Sequence, residues 1–241
     1  MPTIYAASTD GYVRNLVGGG PSWATVRDAT SGNSASSTSA ASANAVQAFG
    51  ATAAGGRLAV WRSFFAFDVS GISTAVASAT INIRGTSASD ADIIGVRATK
   101  PDTTTDLTTA DFDAITGFSA GNSMAGNVTD YTSEVTTWST SGYNNITLNA
   151  TALSHLESLD TFIICFVEYD HDYLNSAMAY GDGTIRSGMI YQNSSGTSRD
   201  PSIDYTLVAV ANVDGVEIGN ITKIDGIAKA NIASINGVGL P

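Results

Sequence analysis

Apolar and polar residues alternate along this chain in short runs, separated by clusters of Gly, Pro, Asn, Asp and Ser. Period-two runs bounded by turn residues predict strands, not amphipathic helices. Residues 4–17 read as a β-segment broken by a turn at Asp10-Gly11, ahead of the loop Gly18-Gly19-Gly20-Pro21. Residues 23–27 read as a further short strand. Residues 30–45 are almost wholly Ser, Ala, Thr, Asn and Gly, too slight to pack a core, and predict a long loop or a weakly specified edge segment.

The clearest strand covers residues 57–69. Trp61, Phe65 and Phe67 fall on one face, Leu58, Val60 and Phe64 on the other, so both faces should be covered over part of its length. Strands are also expected at 77–84, 92–99, 128–138, 143–148 and 161–169, with 203–207 closing the domain. Residues 107–113 predict one helical turn, with a Thr N-cap and an acidic residue three positions on. Asn149 is placed to cap a short helix that buries Leu153, Leu156 and Leu159. Strands at short intervals with only two small helices predict an all-β fold, a jelly-roll-like antiparallel β-sandwich over residues 1–207.

Residues 208–241 form a tail of another kind. Val210, Ile221 and Ile232 correspond at a spacing of 11, as do Val213, Ile224 and Ile235, and Val216, Ile227 and Val238. Each copy carries Asp-Gly or Asn-Gly, at Asp214-Gly215, Asp225-Gly226 and Asn236-Gly237. Such dipeptides accept the positive φ of a type I′ turn, so the copies predict short β-segments joined by tight turns. An 11-residue period can be helical, but a Gly and β-branched residues in every copy oppose that. Three such copies are too small to bury a core alone. Val213, Val216, Ile221, Ile224, Ile227, Ile232, Ile235 and Val238 are therefore assembly candidates, packing on the domain or on a neighbouring chain.

Composition narrows the function. Only 14% of the residues are charged, and the formal net charge is −11. An acidic chain with scattered cations is a poor partner for nucleic acid or anionic lipid. The single cysteine, Cys165, sits in an apolar run and reads as a small buried hydrophobe. The start, Met1-Pro2-Thr3-Ile4-Tyr5, lacks the basic and apolar stretches of a secretory signal. No apolar run approaches the roughly 18 residues that span a bilayer. A hydroxyl- and amide-rich surface without an export signal fits a virion protein made in the cytoplasm and released by lysis.

Candidate chemistry is sparse. Glu168-Tyr169-Asp170-His171-Asp172 gathers acids at a strand end; it is either a polar loop or a calcium site using Asp170 and Asp172. Asp111 and Asp113 invite comparison with a glycosidase pair, but helix capping accounts for the first and solvent for the second. His155 reads as an exposed helix residue. Neither a Gly-x-Ser-x-Gly elbow, a P-loop nor a His-Glu-x-x-His sequence is present, so no catalytic role is expected. Trp23, Trp61 and Trp138 with Tyr131, Tyr143, Tyr173 and Tyr180 offer material for a sugar-stacking platform. Trp61 reads as core, whereas Tyr173 and Tyr180 lie in polar surroundings as the better candidates for glycan contact.

The run Arg62-Ser63-Phe64-Phe65-Ala66-Phe67-Asp68-Val69-Ser70-Gly71-Ile72, followed by Ala77-Ser78-Ala79-Thr80-Ile81-Asn82-Ile83, resembles the DNRLRE-type jelly-roll modules. These are related to carbohydrate-binding modules and occur in bacterial surface proteins and phage structural proteins. Asp200-Pro201-Ser202-Ile203-Asp204-Tyr205 resembles their closing strand. The resemblance implies Phe65 and Phe67 as core and Asp68 and Ser70 as turn-formers. The tail is similar to repetitive termini of phage and marine-virus structural proteins. Together these imply a virion protein such as a capsid decoration protein, head fibre or tail-fibre-like component. Its partners would be itself, as a homo-oligomer such as a trimer, and capsid or tail proteins. The alternative is a carbohydrate-binding or adhesion module of a bacterial surface protein.

Overall fold

In the computed structural model, residues 1–37, 45–189 and 199–208 are described, together with six two-residue strands farther on. Eleven strands build a jelly-roll-like antiparallel sandwich: β1 (Thr3–Tyr5), β2 (Gly11–Gly18), β3 (Ser34–Ser36), β4 (Ala45–Ala51), β5 (Arg57–Asp68), β6 (Val76–Ser89), β7 (Ile93–Arg97), β8 (Tyr143–Thr147), β9 (Thr161–Glu168), β10 (Gly183–Met189) and β11 (Ser202–Leu207). The smaller sheet runs β1-β11-β6-β8. In the larger sheet β5 pairs along one edge with β2, and β3 lies outside β2. Along its other edge β4 and β9 lie end to end, with β10 beyond β4 and β7 beyond β9. Strand β6 serves both sheets, because its last residues, from Gly85 on, pair with β10.

The two-faced pattern of β5 has a direct structural cause. Phe65 and Phe67 enter a core between the sheets with Phe162, Ile164 and Phe166 of β9 and Ile81, Ile83, Ile146 and Ile203 of the small sheet. Leu58, Val60 and Phe64 enter a second core on the opposite face, with Cys165, Val167, Ile94 and Val96. Each fully buried side chain of this size contributes about 1.5–3 kcal/mol. The second core is roofed by helix α1 (Trp23–Arg27) and by Leu107, Phe112, Ile115 and Met124 from the long connection after β7. Helix α2 (Ala150–Ser158), capped by Asn149 through the Ala152 amide, adds Ala152 and Leu156 to the first core. Burial pushes the Cys165 thiol well above its ordinary range, as expected of an inert core cysteine.

Several local expectations need correction. Residues 23–27 are helical, not extended: Ser22 accepts from the Thr25 amide, and Trp23, Val26 and Arg27 are buried at helical spacing. Residues 128–138 form no continuous strand beside β7, pairing with it through isolated bridges at Asp130 and Val135. The Tyr131 and Thr132 amides both donate to the Gly95 carbonyl, at 2.8 and 3.2 Å, so two residues oppose one and the ladder breaks. Strands β4 and β10 escaped prediction because Ala, Gly and Ser interrupt their larger side chains. A Cβ at Gly50 would lie 2.1 Å from the Ala179 carbonyl oxygen, so crowding dictates the lack of bulk. Within residues 30–45, β3 pairs at the edge of β2, while 38–44 lie outside the described residues.

The tail supplies three two-stranded units: Asn212–Val213 with Val216–Glu217, Lys223–Ile224 with Ile227–Ala228, and Ser234–Ile235 with Val238–Gly239. Their innermost pairs are Val213↔Val216, Ile224↔Ile227 and Ile235↔Val238, the register that a two-residue hairpin loop demands. Val210, Ile221 and Ile232 lie outside the described residues. Among the described residues, each hairpin pairs only within itself, and no helix is long and apolar enough to cross a membrane.

Candidate functional site

The outward face of the small sheet is the most organised polar surface. Alternation in β8 is strict: Asn144 and Ile146 are buried, while Tyr143, Asn145 and Thr147 are exposed. Register carries this pattern across the sheet. Tyr5, Ser202, Asn82 and Asn145 form one cross-strand row; Thr3, Asp204, Thr80 and Thr147 form the next. Arg84 and Tyr143 begin a third. Asp204 is held by the Thr3 hydroxyl and by the Asn82 amide, which donates at 2.9 Å. The Tyr143 hydroxyl donates to the Asp200 carbonyl at 3.2 Å. Tyr5 is 40% exposed and Tyr143 37%; with Thr3, Asn82, Asn145, Ser202 and Asp204 they line a shallow hollow of about 400 Å³. Burial, then the charge of Asp200, pushes the Tyr143 phenol upward, so it is neutral and able to donate. Two half-exposed tyrosines flanking fixed amides and hydroxyls offer both ring surface and directed hydrogen bonds.

Of the aromatics considered from sequence, Tyr143 lies on this face, while the favoured pair, Tyr173 and Tyr180, does not. Tyr173 is buried at 4% exposure, and its hydroxyl donates to both Asp130 carboxylate oxygens at 3.0 and 2.9 Å. Its polar neighbours in sequence pack elsewhere, so it is a core residue and not a glycan contact. Tyr180 is exposed, but its ring lies over Gly56, where a Cβ would come within 3.0 Å, and its hydroxyl bonds the Pro21 carbonyl. It staples a loop. His155 is partly buried and bonds the Tyr131 hydroxyl at 2.8 Å, in an edge-on ring contact. Tyr5 was legible only as an odd position of Thr3-Ile4-Tyr5, and the outward side of Tyr143 follows from the alternation of Tyr143-Asn144-Asn145-Ile146-Thr147.

The acidic run after β9 is neither loop nor open ligand set. Residues Tyr169–Tyr173 form one wide turn, closed by the Leu174 amide donating to the Tyr169 carbonyl. Glu168 caps it, accepting from the amides of Asp170, His171 and Asp172. Asp172 is fully buried and grips Arg62 in a fork, with Nε to Oδ2 at 2.8 Å and Nη2 to Oδ1 at 2.7 Å. Arg62 also donates to the carbonyls of Phe112 and Arg27, and its guanidinium lies over the rings of Phe112 and Phe118. The Asp172 carboxylate is thus spent on an arginine and unavailable for calcium, while Asp170 is exposed.

Asp170 nevertheless belongs to an acidic ledge with Asp92, Glu134 and Glu168. Asp92 is pushed up to about 7, first by burial, then by the charges of Glu134, Asp170 and Glu168. Asp111 completes a capping box with Thr108, the assignment expected for it. Among the described residues no three His, Cys, Asp or Glu side chains converge as a metal-ligand group. Among the described residues the structure presents a polar sheet face, a buried ion pair and three tail hairpins. No family model matches the chain, and neither does any curated protein.

Proposed function

We propose that this is a non-catalytic structural protein exposed on a phage particle, its sandwich facing solvent and its tail serving assembly. The observation that carries the reading is the tail. Three hairpins recur at one period, each closed within itself and, among the described residues, not extending either sheet of the sandwich. A unit repeated in register suits a repeated or symmetric partner surface, either further copies of this chain or a capsid or tail protein. Light scattering on the full chain and on a chain ending at Leu207 tests it. A full-length oligomer that falls to monomer on truncation is expected. Two monomers, with particle binding unaffected by truncation, would remove the assembly role.

A second reading, adhesion to a polysaccharide, is favoured by the Tyr5–Tyr143 face and is compatible with the first. The net charge of −11 disfavours acidic polymers and points to neutral sugars. Tyr143→Ala should lower affinity for a neutral glycan at least tenfold on an array or by calorimetry, without changing the mass in solution. Equal binding by parent and variant would discard the face as the site.

A further inference from the structure

The chain between Tyr131 and Asn149 folds back on itself without zipping up. At its mouth the Asn149 amide donates to the Tyr131 carbonyl at 2.9 Å; at its tip the Ser139 amide donates to the Asn144 side-chain oxygen at 2.7 Å. Between these points residues 133–138 and β8 face each other, and among the described residues no backbone hydrogen bond joins them. Hollows of about 330 and 470 Å³ lie along the gap, sharing Val135, Thr137, Asn145 and Ile146 as walls. The outer wall is fixed from behind. Ile93 and Val135 exchange amide-to-carbonyl bonds at 3.1 and 2.8 Å, and Trp138 Nε1 donates to the Gly188 carbonyl at 3.0 Å.

The inner wall is a sheet edge. The Gly85 amide donates to the Gly142 carbonyl and the Leu148 amide to the Ala79 carbonyl, and bonded pairs alternate along an antiparallel ladder. Asn144 and Ile146 therefore bond β6, while the amides and carbonyls of Tyr143, Asn145 and Thr147 point into the gap. Such an edge takes a further strand through its main chain. The tail hairpins have the complementary need. Their innermost pairs are the bonded ones, so Lys223 and Ala228 of the middle hairpin turn their main-chain groups outward. A lone two-stranded hairpin is marginal in water and gains from a third strand.

We propose that the gap beside β8 receives the middle tail hairpin, Lys223–Ile224 with Ile227–Ala228, of a second copy of this chain as an added strand. The inference rests on the tail being the assembly element. Charge selects the hairpin. The outer wall carries Glu134, with Asp92 and Asp170 near it; the middle hairpin brings Lys223, whereas the first brings Glu217 and the strands of the third are neutral. A donor hairpin and an acceptor gap on one chain make a head-to-tail contact, which closes as a ring of copies.

The test is light scattering and amide exchange on the full chain across a dilution series. In the oligomer the amides of Tyr143, Asn145 and Thr147 should exchange about tenfold more slowly than after dilution to monomer. Thr147→Pro, which removes an amide that β6 does not use, should leave the chain folded but monomeric, while Thr147→Val assembles as the parent does. Lys223→Glu should raise the concentration for half-assembly about tenfold at low salt. An oligomer that survives Thr147→Pro with its β8 amides unprotected overturns the inference and leaves the tail's assembly role standing. Equal protection in monomer and oligomer overturns it by placing the hairpin on its own chain, and unchanged assembly of Lys223→Glu overturns it by excluding this hairpin. A full chain monomeric at every concentration overturns it as well, and particle binding then decides the tail's role separately. Should Thr147→Pro fail to fold, exchange in the parent chain decides alone.

Discussion

Arg62 and Asp172 carry opposite charges into the second core, and both side chains are wholly enclosed. Such a pair contributes little beyond a hydrophobic replacement, yet breaking it strands a charge. Asp172→Ala should therefore cost about 3–5 kcal/mol, read as a lowered denaturant midpoint at unchanged slope. Asp92 gives a second, pH-dependent effect. Its pKa is about 7 in the fold against about 3.9 in an unfolded chain. The folded state holds the proton more tightly, so stability declines as pH rises between those values. The urea midpoint should fall from about pH 4 to about pH 7, and fall less in Glu134→Gln, which removes the neighbouring charge with the largest effect on Asp92. A variant slope as steep as the parent's would assign the effect to other groups, Asp10 among them. Nothing in the residues around Asp172 announces its partner, because Arg62 lies 110 positions away. Pairings of that range are set by tertiary structure, which is why the run from Glu168 to Asp172 reads locally as a loop or a ligand set.

Elements whose pattern reflects bulk and alternation were readable in advance; elements shaped by crowding were not. Strand β5 shows two apolar faces because it divides two cores, and β8 alternates because one face meets solvent. The turn at residues 109–111 and the cap of α2 follow from side-chain chemistry within four residues, and both stand where Thr108 and Asn149 place them. By contrast, β4 and β10 carry Ala, Gly and Ser where neighbours press close, and such strands resemble loops in composition. Helix α1 is so short that helix and strand periods cannot be told apart over its five residues. For α2 the balance between cap and packing can be measured. Asn149→Ala should lose about 1 kcal/mol, whereas Leu156→Ala, from a fully buried site, should lose about 2–5 kcal/mol. Equal losses in thermal or urea unfolding would mean that α2 is held by its end and not by its buried side.

At the scale of the molecule, the sandwich gathers its chain ends on one strand pair. Thr3 faces Asp204, Tyr5 faces Ser202, and the Tyr205 amide donates to the Pro2 carbonyl. Because β1 and β11 are antiparallel, the N-terminus and the departure point of the tail lie at the same end of that pair. This arrangement has a mechanical meaning. A pull between the N-terminus and the tail would load these hydrogen bonds one after another and open β1 like a zipper. A pull delivered through the tail against something gripped on the sheet face would instead load strands β11, β6 and β8 along their length, straining many bonds together. The sandwich thus yields to a pull on the outer ends of the β1–β11 pair and resists one directed along the small sheet.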